Sequence, residues 1–99
     1  MAAEADVDLQ AYNKLKAFRD LIQETMDTLS SANGQASLAT AARAAASRWD
    51  EVDEAFAAVL RDVAQRAWQM PFAQVKPVVT AIVGHLAGQL ADVDADLNR

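Results

Sequence analysis

The chain contains no cysteine. That removes disulfides, thiolate nucleophiles and cysteine-based zinc sites, and it fits a cytoplasmic protein. Basic residues are also scarce: nine Lys and Arg stand against fourteen Asp and Glu, for a net charge of −5. They are scattered singly, whereas nucleic-acid binders cluster cations to displace counterions from phosphates. No direct nucleic-acid contact is expected. Long hydrophobic runs are missing as well. The most apolar stretch, Val78 to Leu90, is about two thirds of the ~20 residues a membrane span needs and holds His85 and Gln89. Met1 to Leu9 is acidic and lacks the basic start and apolar centre of a signal peptide. No membrane association is expected. No strand-length run alternates apolar and polar residues, so no sheet is predicted.

Alanine is abundant, at 23 of 99 residues. It is the best intrinsic helix former and adds little core volume. The length suits one domain. The reading is an all-α single helical bundle over residues 9–99, preceded by a flexible N-terminus over residues 1–8.

Two points punctuate the chain. Asn33-Gly34 is a strong stop, because both residues tolerate the left-handed conformation that ends helices. Pro71 is the second, since proline suits a helix's first turn and not its interior. The first helix is predicted from about Leu9 to Ser31, with Leu15, Phe18, Ile22, Met26 and Leu29 on one face. A second helix from near Ser37 to near Gln69 carries Trp49, Val52, Phe56, Val59, Val63 and Ala67. Ser47 with Asp50 resembles a capping box, so this helix is predicted to kink or split near residue 47, leaving Ala39 to Ala46 as a short Ala-rich piece. The third helix starts at Lys76, or before Pro77 with a distorted turn. It carries Val75, Val79, Ile82, Leu86, Leu90, Val93 and Leu97. Three apolar stripes joined by short turns imply an antiparallel three-helix bundle, with a dimer as an option.

The third helix has a second stripe opposite the first: Ala81, Gly84, Gly88, Ala91 and Ala95. A helical glycine costs about 0.5–1 kcal/mol relative to alanine, so two of them one turn apart call for a reason. Close approach by another helix is one, either in a partner, most simply a second copy about a two-fold axis, or inside the chain against the first helix or Ala39–Ala46; a merely solvated stripe without a role is the third reading. Trp68 points away from the stripe of its own helix and forms an aromatic corner with Met70 and Phe72. It is either an interface anchor or a local cap on the core.

Other features carry less. His85 is the only histidine and has no acid or second ligand at helical spacing, so neither a metal site nor a cofactor is expected. Asp92, Asp94 and Asp96 resemble the start of a calcium loop, but Leu97 stands where that loop needs glycine. Asp50, Glu51, Asp53 and Glu54 suit the start of a helix, where the dipole favours negative charge. No phosphate-binding glycine loop and no helical two-histidine motif occurs, so no enzyme and no catalytic residue is expected.

The secreted Trp-X-Gly helical hairpins are similar in length, acidity and lack of cysteine. Here the turn reads Ala32-Asn33-Gly34 without the tryptophan, Trp49-Asp50-Glu51 lacks the glycine, and Pro71 interrupts the second helix. The tyrosine-based C-terminal secretion signal of that family is missing too. The resemblance stops at size and composition, and the Arg and Lys pattern of a small helical chorismate mutase is absent. The sequence therefore suggests a non-enzymatic helical protein–protein interaction module: an inhibitor, adaptor, chaperone or structural subunit that binds a protein partner or a second copy. The alternatives are a small-molecule-binding bundle with a pocket lined by Trp49, Phe56, Phe18 and Leu86, and a secreted helical-hairpin-type protein.

Overall fold

A computed structural model describes residues 2–98, with side chains from Leu9 to Asn98. The flexible segment expected over residues 1–8 lies outside the described side chains. Four helices make up the fold: α1 (Ala2–Ser31), α2 (Gln35–Trp49), α3 (Glu54–Gln69) and α4 (Phe72–Leu97). No strand occurs among the described residues. The expected count of three helices becomes four because the predicted second helix divides completely.

The division falls after Trp49 and not at Ser47. Val52 and Asp53 both donate their N–H groups to the Trp49 carbonyl, at 2.9 and 2.7 Å, closing a tight turn. Asp53 then caps α3: its backbone is extended and its carboxylate accepts from the Phe56 N–H at 3.1 Å. Ser47 instead turns its hydroxyl back to the Arg43 carbonyl inside α2. The reset of helical phase moves the core face of α3. Ala57, Leu60, Val63, Ala64 and Ala67 are buried, whereas Val52 and Val59, which one continuous helix would have put in the core, are exposed.

The other two breaks fall as predicted, with different details. Gly34 stands at the N-cap of α2 with an extended backbone (φ −170°), and no described residue outside glycine has a positive φ, so the left-handed stop is not used. Ser37 Oγ accepts from the N–H groups of Asn33 and Gly34, both at 3.1 Å, and holds the turn. Helix α4 begins directly after Pro71, several residues earlier than expected, and takes Pro77 into its second turn. The carbonyl freed by the missing Pro77 N–H belongs to Ala73. Both residues are exposed, so water can satisfy it.

Short turns make sequential helices antiparallel neighbours, and α4 returns to pack along α1. The four helices form a ring of neighbours, α1–α2–α3–α4–α1, stretched into a rod of 57 × 21 × 18 Å. Two pairs are intimate. Helices α2 and α3 meet through small side chains: Ala39, Ala42 and Ala46 on one, Ala57, Ala64 and Ala67 on the other. The stretch expected to be a separate Ala-rich piece is thus the contact face of a full helix. Helices α1 and α4 meet through larger residues, with Ile22 and Leu29 on one side and Val75, Leu86 and Val93 on the other. Arg19 reaches Asp94, which puts the middle of α1 level with the last turn of α4. Residues Leu9 to Lys14 are all exposed.

Trp49 sits at the centre of the core and is 1% exposed. Phe18 and Phe56 meet it edge-on, with centroids at 5.7 and 4.5 Å. This is the geometry aromatic quadrupoles favour. The pocket expected among Trp49, Phe56, Phe18 and Leu86 is therefore filled by these rings.

Candidate interaction surfaces

The outer face of α4 is the first surface. Its inner stripe lies as expected, with Val75, Val79, Leu86 and Val93 buried and Ile82, Leu90 and Leu97 packed against the core. Ala81, Gly84, Gly88, Ala91 and Ala95 are all exposed on the other side. A Cβ built on Gly84 or Gly88 would meet nothing within 4 Å. The option that this stripe packs inside the chain is thereby overturned: α1 lies on the opposite face of α4, and Ala39 to Ala46 are engaged with α3. From Pro77 to Ala91 the helix carries no charged residue. Val78, at 38% exposure, extends the apolar surface. Solvent-facing helix surfaces are ordinarily charged, so this face is unusual in both size and polarity. His85 lies at its edge, exposed.

Trp68, Met70 and Phe72 do not form one corner. Trp68 is 57% exposed and lines a groove of about 470 Å³ along the α2–α3 pair, with Arg43, Ser47, Arg61, Ala64, Gln65 and Gln69. It does not cap the core. Met70 packs half-buried on the core side of the α3–α4 turn, its carbonyl accepting from the Gln35 side chain at 2.5 Å. Phe72 lines a different cleft, of about 270 Å³, with Leu29, Leu38, Lys76, Val79, Thr80 and Val83. The proline turn separates them: Trp68 belongs to the end of α3, Phe72 to the start of α4, and the chain changes direction in between. A third, open groove runs between α1 and the α2–α3 turn, with Phe18, Leu21 and Val52 at its base and Lys14, Arg48 and Glu51 around it.

Charged residues are mostly tied into the fold. Arg48 pairs with Glu24, Arg61 with Asp50, and Arg66 with Asp62 at 2.7 Å. The Arg19 guanidinium is held above its ordinary range, first by its 2.9 Å hydrogen bond to Asp94 and then by that carboxylate's charge. Within the acidic group at residues 50–54, Asp50 holds Arg61, Asp53 caps α3 and Glu54 sits in its first turn. Of the three aspartates at the end of α4, Asp94 is engaged by Arg19. Among the described residues no three His, Cys, Asp or Glu side chains converge as a metal site would require. No described helix is long and apolar enough to cross a membrane.

Sequence reasoning picked out Trp68 and the α4 stripe, and missed Arg43. Seven residues separate Trp68 from Arg61, two helical turns, so those two share a face on sequence grounds. Arg43 joins them only through the pairing of α2 with α3. Comparison with known proteins adds nothing to this picture: no family model, no curated protein and no solved structure matches the chain.

Proposed function

We propose that this protein is a non-enzymatic helical interaction module that self-associates through the outer face of α4. One observation carries the reading: Ala81, Gly84, Gly88, Ala91 and Ala95 present an open, small-residue face, the first four of them inside a 15-residue stretch without charge, and no described residue covers it. Two helical glycines with no internal contact lower helix stability by about 1 kcal/mol each relative to alanine. A partner helix approaching closely would recover that cost through backbone-level packing.

A second copy is the partner that the chemistry favours. Lys76 lies at the N-terminal end of the uncharged stretch, and Asp92 and Asp96 at its C-terminal end. An antiparallel copy sets each end against its opposite in both side-chain charge and helix dipole. A parallel copy would oppose like ends. The stretch is about 22 Å long at 1.5 Å per residue.

Light scattering over a concentration range, on wild type and Gly88→Leu, tests the proposal. A wild-type dimer that Gly88→Leu converts to monomer supports it. A monomer at millimolar concentration refutes it. A small-molecule-binding role is the second reading, and the apolar cleft at Phe72, Leu38 and Val79 favours it. A rise in melting temperature with a medium-chain carboxylate, abolished in Val79→Trp, would support that reading.

A further inference from the structure

The groove on the outer side of the α2–α3 pair has a character opposite to that of the rest of the chain. The protein carries an excess of five negative charges, yet no carboxylate lines this groove. Its walls supply the guanidinium groups of Arg43 and Arg61, the amides of Gln65 and Gln69, the Ser47 hydroxyl and the exposed indole of Trp68. Arg61 is neutralised by Asp50. Arg43 is exposed and takes part in no ion pair among the described residues.

We propose that this groove binds a short acidic segment of a protein partner, with a carboxylate on Arg43 and a large apolar side chain against Trp68. Tryptophan and arginine dominate interface energetics, the first through rigid area and the second through bidentate pairing with carboxylates. The spacing defines the segment. Arg43 on α2 and Arg61 and Trp68 on α3 all line the groove. Residues 61 and 68 are seven apart, or about 10 Å along the helix at 1.5 Å per residue. An extended peptide advances ~3.3 Å per residue, so an acid level with Arg61 and an apolar residue level with Trp68 stand about three positions apart. Gln65 and Gln69 lie between and beside these residues, where they offer donors and acceptors to the peptide backbone. A nucleic acid fits less well. It needs several cations along a phosphate track, whereas Arg43 is the one lining cation without an ion pair among the described residues. This inference does not depend on self-association through α4, because the two surfaces share no residue.

The test is selection of displayed random octapeptides on the wild-type protein, with Trp68→Ala as counter-selection, followed by fluorescence polarisation with the best labelled peptide. The expected winners carry Asp or Glu three residues from Leu, Phe, Ile or Met. Trp68→Ala and Arg43→Gln each weaken binding by about tenfold or more, while Gly88→Leu leaves it unchanged. Replacing the peptide's acid by its amide gives the same loss without altering the protein, and that loss vanishes in the Arg43→Gln background. Three outcomes overturn the proposal: no peptide enriched over the Trp68→Ala counter-selection; binding indifferent to Arg43→Gln or to the acid; or octathymidylate binding more tightly than any selected peptide, which would assign the groove to single-stranded nucleic acid.

Discussion

The indole N–H of Trp49 donates to the Thr25 hydroxyl at 2.9 Å, and that hydroxyl donates in turn to the Leu21 carbonyl at 2.7 Å. Thr25 is the only polar residue among the described buried ones, at 3% exposure. The two bonds satisfy the side-chain polar atoms of the pair and tie the last residue of α2 to the C-terminal third of α1.

Thr25→Val keeps the shape of this contact and removes its chemistry. The Trp49 N–H is left buried without an acceptor, a condition that costs about 1–3 kcal/mol. Urea denaturation should show that loss with an unchanged slope. Thr28, one turn along, makes the same back-bond to Glu24 from an exposed position. Thr28→Val is expected to stay within about 0.5 kcal/mol of wild type. Equal effects of the two variants would mean that the Trp49 bond contributes nothing.

The turn between α2 and α3 gives a second test, and it measures how far local sequence signals can be read. Ser47 and Asp50 match the spacing of a capping box as well as anything in the chain. The cap is nonetheless Asp53, which accepts from Phe56 N. Asp53→Ala should cost about 0.5–2 kcal/mol, and Ser47→Ala should be nearly neutral or slightly favourable. Sequence could not choose between them, because four acids lie within five residues. The choice is made by Trp49, whose burial against Phe18 and Phe56 requires α2 to run through it before the chain reverses.

Most of the remaining architecture was legible for the same kind of reason it was partly misread. The expected stripes of α1 and α4 all face the core, since large apolar side chains at helical spacing have one place to go, but the buried Leu21 and Thr25 of α1 lie outside the expected stripe. The α2–α3 pairing was not seen, because alanine gives a weak periodic signal while allowing the closest approach. Ala42 and Ala46 are fully buried between these helices, and Ala44 is exposed. Ala42→Leu forces extra volume into that seam and should destabilise by about 1–3 kcal/mol or more. Ala44→Leu should be silent. A thermal melt of both variants decides whether the small side chains set the helix separation, and a silent Ala42→Leu would show that the seam is loose.

The α4 face was legible as an anomaly, and its location was not, since an internal and an external stripe of small residues read alike in sequence. The surroundings of the glycines supply a prediction with two separable parts. With nothing within 4 Å of either position, Gly84→Ala and Gly88→Ala should each stabilise the isolated chain by about 0.5–1 kcal/mol. Dilute thermal denaturation, below the association range, reads that part. If the face is an interface built on backbone contact, the same substitutions should weaken association, and Gly88→Leu should abolish it without unfolding the monomer. Stability and assembly would then move in opposite directions in the same variant. That pattern arises when glycine is retained for a partner. If both variants gain stability and associate as wild type does, close helix approach is not what the glycines serve, and the dimer must be sought on another face.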